Sequence, residues 1–250
     1  PVTFRASDGS LVDSEQVTPA HTCYAIPMCG RYVLTISLDL FIKLFGLKAV
    51  PDLPDRYNVA PNQRVPAIRQ SSGGMRQIDL LRWGLVPSWS KEFSGGLINA
   101  RSETVNEKPS FRHAFRHNRC IIPATGFYEW RTIGSRKTPY FIHMANHDTM
   151  AFAGIWDTWK SPEGEIIETC AILTTQANAI VATLHDRMPV ILSSESFETW
   201  LDRQVQDPAV LSKLLAPSPA EAMAMYPVST LVNKVGNDSP DCIVEVEEEP

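Results

Sequence analysis

The spacing of apolar residues along the chain changes at residue 29. Residues 1–28 are rich in Ser, Thr, Asp and Pro and show no sustained period, which predicts an N-terminal extension outside the core. From Cys29 onward "YVLTI" has a strand pattern, and "LDLFIKLFGL" then has the period of a short amphipathic helix with Ser37 as its N-cap. Residues 50–66 are rich in Pro and are predicted to form a loop, because proline cannot continue a helix.

Five segments in the middle of the chain have the composition of β-strands. They are rich in β-branched and aromatic residues and are bounded by Gly, Pro, Asn or Asp. The sequence "PEGE" separates the last two segments, which predicts a hairpin. The five segments are "MRQIDLLRWGLVP", "CIIPATGFYEWR", "PYFIHM", "MAFAGIWDTW" and "IIETCAILTT".

Helical segments are fewer and lie mostly on the flanks of the strand-rich region. "DPAVLSKLL" places Asp207 as an N-cap before Pro208, and "SPAEAMAM" opens with the capping box Ser218-x-x-Glu221. The other predicted helices are "FRHAFRH", "QANAIVATL" and "SSESFETWL". Strands in succession with flanking helices predict an α+β fold, a single domain with a curled, mostly antiparallel β-sheet or barrel.

The formal net charge of −5 is concentrated at the two ends of the chain. The last ten residues hold five acids and no base, and residues 1–28 hold one Arg against three acids. The predicted organisation is therefore an extension at 1–28, a domain at 29–238 and an acidic tail at 239–250. The body between the ends is mildly basic, which is compatible with a phosphate-binding groove.

Several classes of protein and site are excluded by composition. No stretch of 18 apolar residues and no secretory signal is found, so we expect no membrane contact and a cytoplasmic location. In a bacterial source, we expect the protein to associate with the nucleoid. The five cysteines are odd in number and form no C-x-x-C, and the pair His113 and His117 lacks a zinc context, so no metal is expected. Cys120 and Cys170 lie in apolar runs typical of buried, inert thiols. No Gly-rich phosphate loop is present, and no cofactor is expected.

Four short stretches combine a reactive side chain with residues typical of shaped loops. Together they supply a thiol, an amide, two carboxylates, an imidazole and three guanidinium groups. Structural interpretations are also open: Glu129 as a solvent-facing strand residue, His185 as a helix cap and Asn99 as a turn residue. The stretches are Cys29-Gly30-Arg31, "LINARSET" (97–104), "PATGFYEW" (123–130) and "LHDRMPVIL" (184–192).

Six motifs in order resemble the SOS-response-associated peptidase (SRAP) family of abasic-site processing proteins. The resemblance extends from Cys29 to about "YPVSTLVN" (226–233), more than four-fifths of the chain. Because the motifs follow one another in the family's order, a chance match is very improbable. The motifs are "MCGRY", "RYNVAP", "RWGLVPSW", "LINARSET", "CIIPATGFYEW" and "HDRMPVIL".

The resemblance implies a DNA-damage enzyme that shields abasic sites in single-stranded DNA by a covalent bond from an N-terminal cysteine. Cys29 would be the nucleophile, Asn99 would position the cysteine and sugar, Glu129 would be the acid/base, and His185 would exchange a proton with the sugar oxygen. The implied partner is abasic single-stranded DNA, bound by a monomer. Further implied DNA contacts are phosphate binding by Arg31, Arg101 and Arg187 and base stacking by Trp83 and Trp89, with Trp83 equally open to interpretation as a core residue.

The implied chemistry requires a free α-amine and a thiol on one residue. The amine condenses with the ring-opened aldehyde of the abasic sugar, and the adjacent sulfur then closes a thiazolidine in an intramolecular step. Initiator methionine is removed when the next side chain is small, so Met28 is interpreted as the true start. With Cys29 internal, its nitrogen is an amide and the reaction is not expected.

Two other functions remain open at this point. The family name suggests a thiol peptidase that uses Cys29 and His185 to remove its own N-terminal segment, and the enzyme class, hydrolase or lyase, stays open. A non-covalent reader of modified or single-stranded DNA would instead use only the arginines and tryptophans, and salt would dissociate its complexes.

Overall fold

The structure is a computed structural model that describes residues 30–247 apart from residues 72 and 94. It also describes the backbone of two short antiparallel strands, β1 (Phe4–Arg5) and β2 (Leu11–Val12). The remainder of the predicted extension, together with Cys29 and residues 248–250, lies outside the described residues.

Twelve further strands and four α-helices form the body. The helices are α1 (Leu38–Phe45), α2 (Arg112–His117), α3 (Phe197–Leu201) and α4 (Pro208–Ser212). The strands are β3 (Tyr32–Leu34), β4 (Arg56–Val59), β5 (Arg64–Gln70), β6 (Arg76–Trp83), β7 (Asn99–Arg101), β8 (Arg119–Ala124), β9 (Gly126–Ile133), β10 (Arg136–Met144), β11 (Met150–Lys160), β12 (Ile166–Gln176), β13 (Arg187–Pro189) and β14 (Met223–Pro227).

Five of these strands close into a barrel. They pair in the order β11-β8-β5-β6-β12, and β12 pairs again with β11. Among these five strands, the pairing of β6 with β12 is parallel and the others are antiparallel. Outside the barrel, β7 pairs with β12 in parallel orientation, and β13 pairs with β12 in antiparallel orientation. The hairpin predicted at "PEGE" is confirmed, since Lys160 pairs with Ile166 across it.

A second sheet is antiparallel throughout, with the order β14-β10-β9-β3-β4. One hydrophobic core joins it to the barrel. The Tyr32 ring of β3 lies 5.5 Å from the Trp83 ring of β6 and 6.1 Å from the Phe152 ring of β11, measured between centroids. The predicted α+β class with a mostly antiparallel barrel is confirmed.

The helix predictions have mixed outcomes. Helix α1 is confirmed with its cap, because the Ser37 hydroxyl accepts the Leu40 N–H, and α4 is confirmed with Asp207 as its cap. The helix predicted at 176–184 reduces to a 3₁₀ turn at Val181–Thr183. Residues 50–66, predicted as a loop, contain β4 and the start of β5.

The helix predicted at 218–225 is wrong. A 3₁₀ turn at Ala220–Ala222 leads directly into β14, which pairs with the edge of β10 and buries Met223. The Ala- and Met-rich composition favours a helix only weakly, and pairing with an open sheet edge outweighs it.

The acidic end of the chain is part of the fold up to residue 246. Cys242 is fully buried. The backbone of Glu245 forms an antiparallel β-bridge with Val228, and the Val246 N–H donates to the Pro227 carbonyl at 3.0 Å. The tail predicted to start at residue 239 is therefore not separate from the domain. No helix among the described residues is long and apolar enough to cross a membrane.

Candidate active site

The strand that follows Cys29 lies between β9 and β4. Cys29 itself is outside the described residues, and Gly30, directly after it, is buried. The Tyr128 N–H donates to the Arg31 carbonyl at 3.0 Å, in the antiparallel register of β3 and β9. Continued by one residue toward the N-terminus, that register brings Gly30 opposite Glu129.

Glu129 is buried, with only 5% of its surface exposed. It lies on β9 opposite Tyr140, and β9 has neighbouring strands on both sides. The alternative interpretation of Glu129 as a solvent-facing strand residue is therefore wrong. A buried carboxyl on the strand next to the one that follows Cys29 is a typical acid/base candidate.

Asn99 and Arg101 lie on β7, at the end of the barrel strand β12. Asn99 is partly buried and pairs with Ile172, whereas Arg101 is exposed and pairs with Thr174. Parallel pairing with a central strand fixes the backbone of Asn99, so the turn interpretation is wrong. The exposed Arg101 is accessible to a phosphate, and its DNA contact stays a prediction.

His185 and Arg187 lie on the other side of the same strand end. The Arg187 N–H donates to His185 Nδ1 at 3.0 Å, and Asp186 Oδ1 is 2.9 Å from the same nitrogen. A backbone N–H can only donate, so this contact fits a neutral ring with its proton on Nε2. A protonated ring would instead donate from Nδ1 to Asp186. An imidazole in this position is a candidate for proton exchange with a bound ligand.

The Arg187 side chain is buried and bound to Glu103. Its two terminal nitrogens donate to the two Glu103 oxygens at 2.6 and 2.8 Å, and Nη2 also donates to the Thr174 carbonyl at 2.6 Å. The hydrogen bond from Arg187 holds the pKa of the Glu103 carboxyl below its usual range. Because the Ser102 N–H also donates to the Thr174 carbonyl, this pair ties β7 and β13 to β12. Phosphate binding by Arg187 stays a prediction, and it would require sharing or release of Glu103.

Replacing Glu103 by Gln is expected to lower the free energy of unfolding at neutral pH by about 1 kcal/mol, the upper end of the range for a solvent-exposed ion pair, because Glu103 is half exposed but its partner Arg187 is buried and bound in bidentate geometry. The pKa of Glu103 is depressed in the folded state, so its contribution is present above the ordinary glutamate pKa and is lost as pH falls through the folded-state value. Urea unfolding of parent and Glu103→Gln at neutral and acidic pH measures the difference. A difference that does not shrink in acid would contradict the expectation.

Trp83 lies in the core between the strand that follows Cys29 and the strand that carries Asn99. It is fully buried, its ring packs on Tyr32, and its indole N–H donates to the Ile98 carbonyl at 2.9 Å, next to Asn99. The predicted stacking of Trp83 on DNA bases is therefore wrong, since neither face of the ring is accessible. Through Tyr32 and Ile98, Trp83 instead connects the strand after Cys29 with the strand of Asn99.

Trp89, in the same sequence motif, has the opposite environment. It is 64% exposed, whereas the loop around it is anchored. The Ser88 N–H donates to the Asp157 carboxylate, and the Ser90 carbonyl accepts from the Trp159 indole, both at 2.8 Å. An exposed ring on an anchored loop is suited to stacking on a base, and this role of Trp89 stays a prediction.

A cavity of about 360 Å³ opens beside Gly30 and Arg31. The Trp130 indole forms part of its lining and donates to the Asn233 side chain at 2.8 Å. Burial lowers the pKa of the half-buried Arg31 guanidinium. Two residues of this region, Trp130 and Asn233, were not predicted as site residues, although "GFYEW" and "STLVN" contain them.

The cysteines within the described residues are not reactive candidates. Cys120, Cys170 and Cys242 are all buried, and burial raises the pKa of the Cys120 thiol to about 12. The interpretation of Cys120 and Cys170 as buried thiols is confirmed. Within the described ranges, no group of three or more His, Cys, Asp or Glu residues could hold a metal ion.

Residues 28–235 match the SOS response associated peptidase (SRAP) family. The chain belongs to this family. The predicted resemblance is thereby confirmed, and the SRAP match begins at Met28, one residue before Cys29.

Named SRAP relatives resemble this chain over most of its length. It is 42% identical over 224 residues to abasic site processing protein YoqW of Bacillus subtilis (strain 168), covering 86% of this chain and 99% of that protein. It is 36% identical over 224 residues to abasic site processing protein HMCES of Gallus gallus, covering 76% of this chain and 66% of that protein. A crystal structure of a Bacteroides thetaiotaomicron protein has the same fold, with a TM-score of 0.78 and 29% identity over 88% of this chain and all of that chain.

Proposed function

We propose that this SRAP protein processes abasic sites by forming a covalent crosslink to single-stranded DNA through Cys29 as its N-terminal residue. The observation that supports this most directly is the register of β3 and β9, which brings the chain directly after Cys29 toward the buried Glu129. YoqW and HMCES are both named abasic site processing proteins, which supports a function on abasic sites.

The proposed reaction has two steps. The α-amine of Cys29 attacks the aldehyde of the ring-opened sugar, and loss of one water gives a Schiff base. The sulfur then adds to the imine carbon while the thiol proton passes to nitrogen, which closes a thiazolidine. Both nucleophilic atoms belong to one residue, so the second step has a high effective concentration.

Each candidate residue has a role that fits its environment. The buried Glu129 transfers protons during ring opening and Schiff-base formation. His185, held beside β13 through its Nδ1, exchanges a proton with the sugar oxygen, and Asn99 on β7 orients the sugar. The exposed side chains of Arg101 and Trp89, together with Arg31, hold phosphates and bases of the DNA.

The experiment compares two forms of the protein with an abasic single-stranded oligonucleotide. A chain started at Met28, so that removal of Met28 leaves Cys29 first, is expected to give a band stable in a denaturing gel, with the mass of protein plus DNA less one water. The full chain from Pro1 is expected to give no such band, because its Cys29 nitrogen is an amide.

Matched cysteine variants complete this test. Cys29→Ala in the Met28-started protein is expected to abolish the band, and Cys170→Ala, which changes a buried thiol, to retain it in the folded protein. Equal crosslinking by Cys29→Ala and the parent would refute the proposal. A complex that dissociates in high salt and detergent would indicate a non-covalent reader instead.

Self-processing is a second candidate, favoured by the 28 residues that precede Cys29 and by the start of the family match at Met28. In this function, the Cys29 thiol with His185 as base would cleave the bond before Cys29. N-terminal sequencing of purified full chain over time tests it. A chain that still starts at Pro1 after prolonged incubation would exclude self-processing.

A further inference from the structure

A C-terminal strap, which we define as residues 229–246, packs against the sheet beside the strand that follows Cys29. Its residues Val232 and Cys242 are fully buried. The Tyr226 hydroxyl of β14 donates to the Ile243 carbonyl at 3.0 Å, and the Tyr128 hydroxyl of β9, which donates to the Tyr57 carbonyl at 2.7 Å, also lies 3.3 Å from the Cys242 carbonyl. The strap therefore contacts the sheet through both buried side chains and hydrogen bonds.

Asn58 is the residue at which the strap, β4 and Arg31 meet. It is fully buried. Its Nδ2 lies within hydrogen-bonding distance of three strap carbonyls, at 3.1 Å from Val232, 3.0 Å from Lys234 and 2.7 Å from Asn237. Its Oδ1 accepts from the Arg31 guanidinium at 3.0 Å. The Asn58 side-chain amide thus pairs with the strap through Nδ2 and with Arg31 through Oδ1. Burying an amide costs free energy unless its polar atoms are hydrogen-bonded in this way.

Within the described part of the chain, Arg31 forms no ion pair with an acidic side chain. The strap carboxylate of Asp238 accepts from the Asn58 N–H at 2.9 Å and is paired with Arg56. Among the described residues, the hydrogen-bond acceptors of Arg31 are neutral: the Asn58 amide oxygen and the carbonyls of Val232 and Asn233. A half-buried guanidinium held by neutral acceptors keeps its positive charge for an incoming anion.

We propose that Asn58 is a positioning residue, which locks the C-terminal strap onto the strand after Cys29 and so fixes the Arg31 guanidinium at the edge of the cavity to receive a DNA phosphate. This inference rests on the proposed function for its ligand, but the locking itself does not. Asn58 lies 27 positions from Arg31 and more than 170 from the strap residues it binds, so only the folded chain creates the hub.

The test replaces Asn58 by Asp in the full chain. Asp has nearly the same shape, but it presents an oxygen to three carbonyls and a negative charge to Arg31. Binding is measured by fluorescence anisotropy with a labelled single-stranded oligonucleotide that carries a tetrahydrofuran abasic analogue. The Kd of the variant is expected to be about tenfold higher than that of the parent, and the slope of log Kd against log salt is expected to fall by about the contribution of one phosphate contact. If Asn58→Asp does not fold, the same measurement is made on Asn58→Ser.

Amide hydrogen exchange tests the locking without DNA. The Tyr57 N–H donates to Asp238 of the strap, and its exchange is expected to be at least about tenfold faster in the variant, which would correspond to local opening of the strap. Tyr226→Phe is the matched control, since it removes a strap hydrogen bond that does not involve Arg31. It is expected to leave the salt slope unchanged.

Three results would overturn the inference. They are an unchanged Kd and salt slope in a folded Asn58 variant, an equal loss of slope in Tyr226→Phe, and unchanged exchange of the Tyr57 amide. If the parent protein does not bind the oligonucleotide at all, the proposed function fails, and the exchange measurement alone decides whether Asn58 locks the strap.

Discussion

Glu129→Gln is expected to slow crosslinking to abasic single-stranded DNA by about a hundredfold or more, the range for loss of a general acid/base. The amide keeps the shape of the carboxyl but cannot carry the proton. Because Glu129 is 5% exposed, water has little access to replace it. Single-turnover rates of the protein started at Met28, measured across a range of pH, give the effect, and the pH dependence caused by this group should disappear in the variant.

Glu168→Gln is the matched control for this prediction. Glu168 is also a strand carboxylate, but it is only partly buried and is paired with Arg69 at 2.7 Å. Its replacement should leave the crosslinking rate within a factor of two or three. Glu129→Gln with the rate and pH profile of the parent would remove Glu129 from the mechanism.

Trp83→Ala is expected to lower the free energy of unfolding by about 3–5 kcal/mol, the cost of truncating a buried aromatic side chain. The cavity would open between the two sheets, where Trp83 packs on Tyr32. Trp83→Phe keeps most of the packing but removes the hydrogen bond to the Ile98 carbonyl. We expect this milder variant to fold and to crosslink several-fold more slowly, because Asn99 follows Ile98. Urea unfolding and single-turnover crosslinking measure the two effects.

Trp89→Ala tests whether the exposed Trp89, unlike the buried Trp83, contributes little to the free energy of unfolding. With 64% of Trp89 exposed, its removal is expected to change the free energy of unfolding by no more than about 0.5 kcal/mol. Binding of single-stranded DNA should weaken by about 1–3 kcal/mol if the ring stacks on a base. Equal destabilisation by Trp83→Ala and Trp89→Ala would contradict the assignment of Trp83 to the core.

Local sequence patterns were sufficient where the relevant contacts are local. The apolar period and the Ser37 cap predict α1, Asp207 and Pro208 predict α4, and the "PEGE" turn predicts a hairpin, because caps and turns are satisfied within a few residues. At 218–225, local preference failed. There an open edge of β10 supplies backbone partners that the sequence pattern does not reveal.

The sequence by itself determined the family, the α+β class and the stretches that carry reactive groups, since ordered motifs and strand composition are properties of the linear chain. Only the tertiary structure decided which of those groups are buried and what they contact. Trp83 and Trp89 share one motif, yet one is core and the other is exposed, and Glu129 fits a solvent-facing pattern but is buried. The hub at Asn58 joins residues more than 170 positions apart. Burial and charge compensation arise from such long-range contacts, and the spacing of residues along the chain does not specify them.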